Sequence, residues 1–157
     1  MESIHPILKK LQFKDAGQPV LILGAPKSYE VVIEGFSGRV DTQISEEAYD
    51  FIQIFGTSND EIRVLAKEAI KHVNDQGLVW LCYPKKSSKT YTESDCSRDT
   101  VAPLLADGGY EPVRQVAIDE DWSALRFRKV EQIKKMTRNF AYTEKGNREN
   151  KQKSIEV

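Results

Sequence analysis

Three stretches of this sequence set charged and hydroxyl side chains close enough together to hold a ligand. Lys85-Lys86-Ser87-Ser88, following Pro84, puts two ammonium groups beside two hydroxyls. That combination suits a phosphate or carboxylate, whose oxygens take both charge and hydrogen bonds. The loop continues through Lys89-Thr90-Tyr91-Thr92 and is polar enough to close as a lid, although charge runs in loops are commonly just solvated. Asp119-Glu120-Asp121-Trp122 is more unusual, because a tight turn does not need three acids followed by an indole. The ring of Trp122 could stack on a ligand base, and Asp119 and Asp121 could take up hydroxyls, amines or a hydrated metal. The alternative is that Trp122 covers a sheet face under a helix and the acids are solvated.

The third stretch is Gly24-Ala25-Pro26-Lys27-Ser28, after an apolar run. Nucleotide-binding folds place a glycine-rich turn there, whose backbone N–H groups hold phosphate. Against G-x-G-x-x-G, Gly24 fits the first position, but Pro26 and Tyr29 fill the other two, removing one donor and adding bulk. What is left is a residual anion site at Lys27 and Ser28, or an ordinary strand-to-helix turn.

Acid–base chemistry finds little support. His5 and His72 fall away from these loops, so no histidine-based triad assembles there. Cys82 belongs to a strand core and Cys96 to a loop, and both read as reduced thiols. No metal site is expected, since carboxylates alone would hold only a weakly bound hard cation.

The elements that must position these loops follow from apolar patterning. Val20–Leu23, Phe51–Phe55 and Leu78–Tyr83 are nearly continuous apolar runs, the signature of strands covered on both faces, as in a parallel sheet between helical layers. Arg39–Ile44 alternates, with Val40, Thr42 and Ile44 on one side, as a half-exposed strand near an edge does. Asp60–Gln76 carries Ile62, Leu65, Ala66, Ala69, Ile70 and Val73 at helical spacing, with Ser58 and Glu61 spaced as a capping box and Gly77 as its C-terminal stop. Shorter helices are expected near the N-terminus with Pro6 in the first turn, over Tyr29–Phe36, and from Ser97 to Asp107. Tyr110–Ile118 and Trp122–Val130 form a hairpin, so the last strand runs antiparallel. Its alternation puts Leu125 and Phe127 on one face and Trp122, Arg126 and Arg128 on the other.

The expected architecture is therefore a single three-layer α/β domain over residues 1–131, Rossmann-like, with five parallel strands and a sixth antiparallel. In such a sheet the loops at the carboxyl ends meet at one rim, where ligands of these folds bind. The 157 residues, 39% apolar, are enough for one real core. With 23 basic and 24 acidic residues, the net charge of -1 gives no global field for nucleic acid or an anionic membrane. It is, however, unevenly spread. From Gln132 onward seven Lys/Arg face three Glu, so residues 132–157 read as a basic, flexible tail of about +4 that can lean on the acidic body or a partner. The N-terminus lacks a signal-like apolar run, and a cytoplasmic location is expected. The edge beside Val40 and Ile44 leaves a homodimer conceivable.

The segments VLILGAP, YDFIQIF, GLVWLCYPKKSS and AIDEDWSALRFR resemble a family of short bacterial proteins known as a domain of unknown function, over roughly Ile7 to Lys129, with Pro84–Ser88 and Asp119–Phe127 the more specific parts. More distantly the pattern resembles a shortened class I methyltransferase fold, which implies a strand order of roughly 2-1-3-4-6-5. That resemblance also implies S-adenosylmethionine, held by a glycine-rich first loop, matched at Gly24, and by an acid near the second strand's end, matched loosely by Asp41. The departure at Pro26 disfavours this cofactor. Taken together, the residues point to a ligand-binding module without robust catalysis, taking a small anion or a protein partner at a rim formed by Gly24, Lys27, Lys85, Lys86, Ser87, Asp119, Asp121 and Trp122. The alternatives are a diverged S-adenosylmethionine-dependent methyltransferase-like enzyme and a scaffold acting through its tail.

Overall fold

The computed structural model describes residues 6–132. The expected tail therefore lies outside the described residues, apart from Gln132. Six strands form one sheet: β1 (Val20–Leu23), β2 (Val40–Asp41), β3 (Tyr49–Phe55), β4 (Val73–Pro84), β5 (Tyr110–Ala117) and β6 (Trp122–Lys129), in the order β2-β1-β3-β4-β6-β5. β1 to β4 are parallel, and β6 is antiparallel to both β4 and β5. This is the expected topology, strand for strand.

The continuous apolar runs are explained by a core on each face. On one side Leu21, Leu23, Ile52, Ile54, Leu81 and Phe127 pack against α3 (Asn59–Ala69) and α4 (Arg98–Val101). On the other, Val20, Ile22, Phe51, Phe55, Trp80 and Trp122 pack under α1 (Pro6–Lys10), α2 (Glu30–Ile33) and the intervening aromatics. Phe13, Phe36 and Phe51 form a cluster with centroids 4.9–5.8 Å apart, and the Trp80 indole donates to the Leu11 carbonyl at 3.0 Å, tying the N-terminal segment to the central strand. Strand β6 alternates as expected, with Leu125 and Phe127 in the α3/α4 core and Trp122 and Ala124 in the other.

Three expectations need correction. The long helix stops at Ala69 and a 3-10 turn over Ile70–His72, and residues 73–77 instead open β4. Tyr49 pairs with Val73 but Phe51 with Leu78, so 74–77 is an extended bulge. Gly77 sits inside this strand, where a Cβ would meet the Val73 side chain at 2.5 Å, and does not cap a helix. The helical spacing ran past Ala69 only through Ile70, which lies in the 3-10 turn, and Val73, which is the first residue of β4. The helix expected over 97–107 is a single turn, Arg98–Val101, followed by turns and a 3-10 segment at Ala106–Gly108, because Pro103 cannot continue the ladder. Finally, β2 is only two residues long, and its alternation is broken: Val40 joins one core while Ile44 packs on the other, and Asp41 is buried.

The helix start is as expected, with a variation. Ser58 Oγ accepts from the Glu61 N–H at 3.1 Å, while the Glu61 carboxylate accepts from the Thr57 N–H at 3.2 Å, one residue earlier than a standard box. No helix among the described residues is long and apolar enough to cross a membrane.

Candidate functional site

The loop after β1 is shaped by its backbone. Gly24 adopts a φ of +71°, and a Cβ there would lie 2.4 Å from the Phe55 carbonyl oxygen, so only glycine fits where β1 leaves the sheet beside β3. Pro26 then opens a 3-10 turn over Lys27–Tyr29, accepting from the Tyr29 N–H at 2.9 Å. Tyr29 turns away from the rim into the core. Its hydroxyl donates to Gln53 Oε1 at 2.9 Å, and Gln53 Nε2 in turn donates to Cys82 Sγ at 3.4 Å. Burial raises both the Tyr29 phenol and the Cys82 thiol well above their ordinary ranges, so both stay protonated. Lys27 is left exposed.

The hairpin acids are used internally. Asp119 Oδ1 accepts from the N–H groups of Asp121 and Trp122 at 2.8 and 2.9 Å, closing the turn. The Asp121 carboxylate accepts from the hydroxyls of Ser88 at 2.7 Å and Thr90 at 3.3 Å, and its carbonyl accepts from the Lys85 N–H at 2.7 Å. Ser88 Oγ also accepts from the N–H groups of Thr90 and Tyr91. The polar loop after β4 is thus pinned to the hairpin along its first half, which argues against a lid hinged there. Trp122 is 3% exposed, with its ring centroid 5.1 Å from Phe55 and 5.0 Å from Tyr91 in edge-on contacts. Together with the Tyr29–Phe55 contact at 4.7 Å, these rings form an aromatic row from the loop after β1 to the loop after β4. Trp122 belongs to that row rather than to the solvent-facing rim.

What Asp121 pins in place is a cavity of about 430 Å³ on the α3/α4 side of the carboxyl edge. Lys85, Lys86 and Ser87 line it from the β4 loop, Ser97, Arg98 and Asp99 from the start of α4, and Tyr83, Ser123 and Gln115 from the sheet. Tyr83 and Ser123 are direct cross-strand partners in β4 and β6, and Gln115 projects from β5 on the same face. Gln115 Nε2 donates to the Tyr83 hydroxyl at 2.9 Å. Burial pushes Tyr83 up to about 12, outweighing the opposing pull of Arg98, so the phenol is protonated at neutral pH. With one lone pair occupied by Gln115, its O–H is a donor for a ligand oxygen. Three cations against the single carboxylate of Asp99 make the lining electropositive.

The eight residues anticipated at one rim therefore divide into three groups. Lys85, Lys86 and Ser87 line the cavity. Asp119 and Asp121 hold the loops, and Trp122 supports them from the opposite face. Gly24 and Lys27 belong to the first loop and do not line this cavity. Sequence reasoning missed Tyr83, Ser97, Arg98, Gln115 and Ser123. A signal existed for two of them: Ser97-x-x-Thr100 is a capping box in the structure, which marks where the chain returns to the rim with Arg98 next in line.

The donor set for S-adenosylmethionine is mismatched. Gly24 fits, but Pro26 offers no N–H, and Asp41 is already fully engaged. Arg39 approaches its carboxylate at 2.5 and 3.1 Å, and the hydroxyls of Ser45 and Tyr49 each donate to Oδ2 at 2.6 Å. The Arg39 guanidinium, helped by these hydroxyls, holds Asp41 well below the usual carboxylate range. A ribose would have to displace this network. His72 is likewise structural, with Nδ1 3.2 Å from the carbonyls of Glu46 and Glu47.

No family model matches the chain, and no curated protein matches it. Solved structures do. A SAM-dependent methyltransferase from Aquifex aeolicus superposes with a TM-score of 0.59 at 16% identity, covering 77% of this chain and 86% of that one. The mitomycin 7-O-methyltransferase MmcR gives 0.55 at 11% identity over 77% of this chain and 52% of its own. NcsB1, an O-methyltransferase from neocarzinostatin biosynthesis in complex with S-adenosylmethionine, gives 0.55 at 10% identity over 73% and 49%. The protein thus has a Rossmann-like α/β fold of the class I methyltransferase type. At these identities the likeness is one of fold.

Proposed function

We propose that this protein is a binding module for a small anionic metabolite, phosphate- or carboxylate-bearing, held in the cavity beyond β4. The observation that carries this reading is the convergence of Lys85, Lys86 and Arg98 with the hydroxyls of Ser87 and Ser97 and the protonated Tyr83 in one 430 Å³ space. Its size falls in the range of small-molecule sites. The cations supply attraction, and Tyr83 with Gln115 supplies orientation from rigid strands, which is where precise recognition is best anchored. The lining contains no histidine or cysteine to serve as base or nucleophile, so the site is read as binding its ligand without turning it over.

Calorimetric titration with inorganic phosphate and then with a panel of sugar phosphates, nucleotides and amino acids tests the proposal. Saturable binding of one equivalent, weakened at least tenfold in K85A/K86A/R98A, is the expected result. A blank across the panel, or binding indifferent to that variant, overturns it.

A second reading, a diverged S-adenosylmethionine-dependent methyltransferase-like enzyme, is favoured by the fold and by the left-handed Gly24 pressed against the Phe55 carbonyl. It is opposed by Pro26 and by the engagement of Asp41. Titration with S-adenosylmethionine decides it: measurable affinity in the native protein would support this reading, and no heat would remove it. Interaction through the basic tail stands as a third reading, tested by whether deletion after Glu131 abolishes partner capture.

A further inference from the structure

Resting on the reading of the cavity beyond β4 as an anion site, we propose that its ligand is a sugar monophosphate, with the phosphate held by Lys85, Lys86 and Arg98 and the sugar hydroxyls read by Ser123 and Gln115 on the sheet. Ser123 and Tyr83 are cross-strand partners in β6 and β4, and Gln115 of β5 lies opposite Leu125, two residues along from Ser123 on the same face. Side chains so placed stand roughly 5 to 8 Å apart, so the three form one patch of the cavity lining.

This patch carries hydrogen-bonding groups that an anion alone would leave unused. Ser123 is 6% exposed and its hydroxyl bonds to no described residue, although buried hydroxyls are nearly always paired. It lines the cavity, so a ligand there can reach it. Gln115 is exposed, and while its Nε2 is anchored on the Tyr83 hydroxyl at 2.9 Å, its Oε1 accepts from no described residue. An amide carbonyl needs a donor, which a carboxylate or phosphate dianion does not supply and a hydroxyl does. Asp99, at the start of α4, is a further acceptor for ligand hydroxyls. Charge fixes the number of phosphates. Three cations against the one carboxylate of Asp99 leave an excess of two positive charges, which a single phosphate monoester of about −1.5 to −2 matches. The lining also selects against a base. Tyr83 is its only ring and is 2% exposed, so no aromatic face is open for stacking, and Phe55, Tyr91 and Trp122 pack on the other side of the sheet. With no aliphatic side chain in the lining either, a hydroxylated body is the complement of these walls.

Ribose 5-phosphate is the probe, propyl phosphate its counterpart of equal charge without hydroxyls, and adenosine 5′-monophosphate its counterpart with a base, each titrated into the full chain by calorimetry. Ribose 5-phosphate should bind one site at least tenfold more tightly than propyl phosphate, and the nucleotide should bind no more tightly than ribose 5-phosphate. S123A and Q115M should each weaken ribose 5-phosphate about fivefold and leave propyl phosphate unchanged, a split that a general loosening of the fold would not give. K85A/K86A/R98A should weaken both esters. If propyl phosphate binds as tightly as ribose 5-phosphate, if the nucleotide binds most tightly, or if S123A and Q115M change both esters alike or neither, the sugar is overturned while the anion site stands. If inorganic phosphate and all three esters give no heat, the anion site falls and the sugar monophosphate with it.

Discussion

The loops after β1 and β4 leave the same edge of the same sheet, yet one is organised by backbone geometry and the other by side chains. In the first, Gly24 passes within contact of β3, and its larger neighbour Tyr29 is spent on the core. In the second, Asp121 and Ser88 fix the path of the chain, so Lys85, Lys86 and Ser87 are presented to a cavity. The difference shows how a Rossmann-like edge can shift its binding capacity sideways. A nucleotide-type site needs open backbone donors at the first loop, whereas this chain fills that position with proline and an inward tyrosine and gathers its cations two strands away.

The sharpest way to break this comparison is at Gly24. Valine there must accept a positive φ and also meet the Phe55 carbonyl, and the combined cost should be about 3–5 kcal/mol. Chemical denaturation should show a collapse of stability, and a substitution costing under about 1 kcal/mol would show that the loop tolerates rearrangement. Next in size is Asp41, buried among Arg39, Ser45 and Tyr49. D41N should cost about 2–3 kcal/mol, since it removes charge-assisted hydrogen bonds from an enclosed group. Because the folded pKa of Asp41 lies below the ~3.9 of an unfolded chain, its contribution is complete above about pH 4 and is lost as the pH falls further. Urea midpoints measured from pH 7 to pH 2.5 should therefore fall more steeply in the native protein than in D41N. Parallel acid limbs would show that the Asp41 network does not contribute in solution.

The topology was legible because the evidence for it is redundant. Each buried strand is a short apolar run, the Asp119-Glu120-Asp121 turn forces a hairpin, and the alternation of Leu125 and Phe127 against Trp122 assigns faces correctly. The site was only partly legible. Adjacent lysines and serines identify a polar loop, but whether they converge with anything depends on tertiary placement, and Arg98 and Gln115 lie 12 and 29 residues beyond Lys86 along the chain. Asp119 and Asp121 of the hairpin looked ligand-directed because their real partners, a backbone turn and two hydroxyls of another loop, are backbone or long-range groups invisible in residue type. Asp41 misled for the same reason: its partners Arg39, Ser45 and Tyr49 surround it in a short, irregular segment with no helical or strand period to announce it.

A smaller effect separates support from recognition within the loop after β4. D121A removes the acceptor for Ser88 and Thr90 without touching a cavity cation, and should cost about 1–3 kcal/mol of stability, the penalty of leaving polar groups unpaired. Anion affinity should fall with it, through loss of order in the 85–91 segment, and hydrogen exchange of the Thr90 and Tyr91 amides, both bonded to Ser88, should quicken. K85A/K86A/R98A should do the reverse. Lys86 and Arg98 are exposed, Lys85 is half-buried, and none of the three side chains makes a hydrogen bond or ion pair among the described residues, so the folding free energy should change by no more than about 0.5 kcal/mol while anion binding is lost. If the triple variant instead unfolds as readily as D121A, the cations are part of the scaffold and the contrast between the two loops disappears. If D121A retains full affinity, the cavity does not depend on the hairpin clamp, and the lysines alone would have to set its shape.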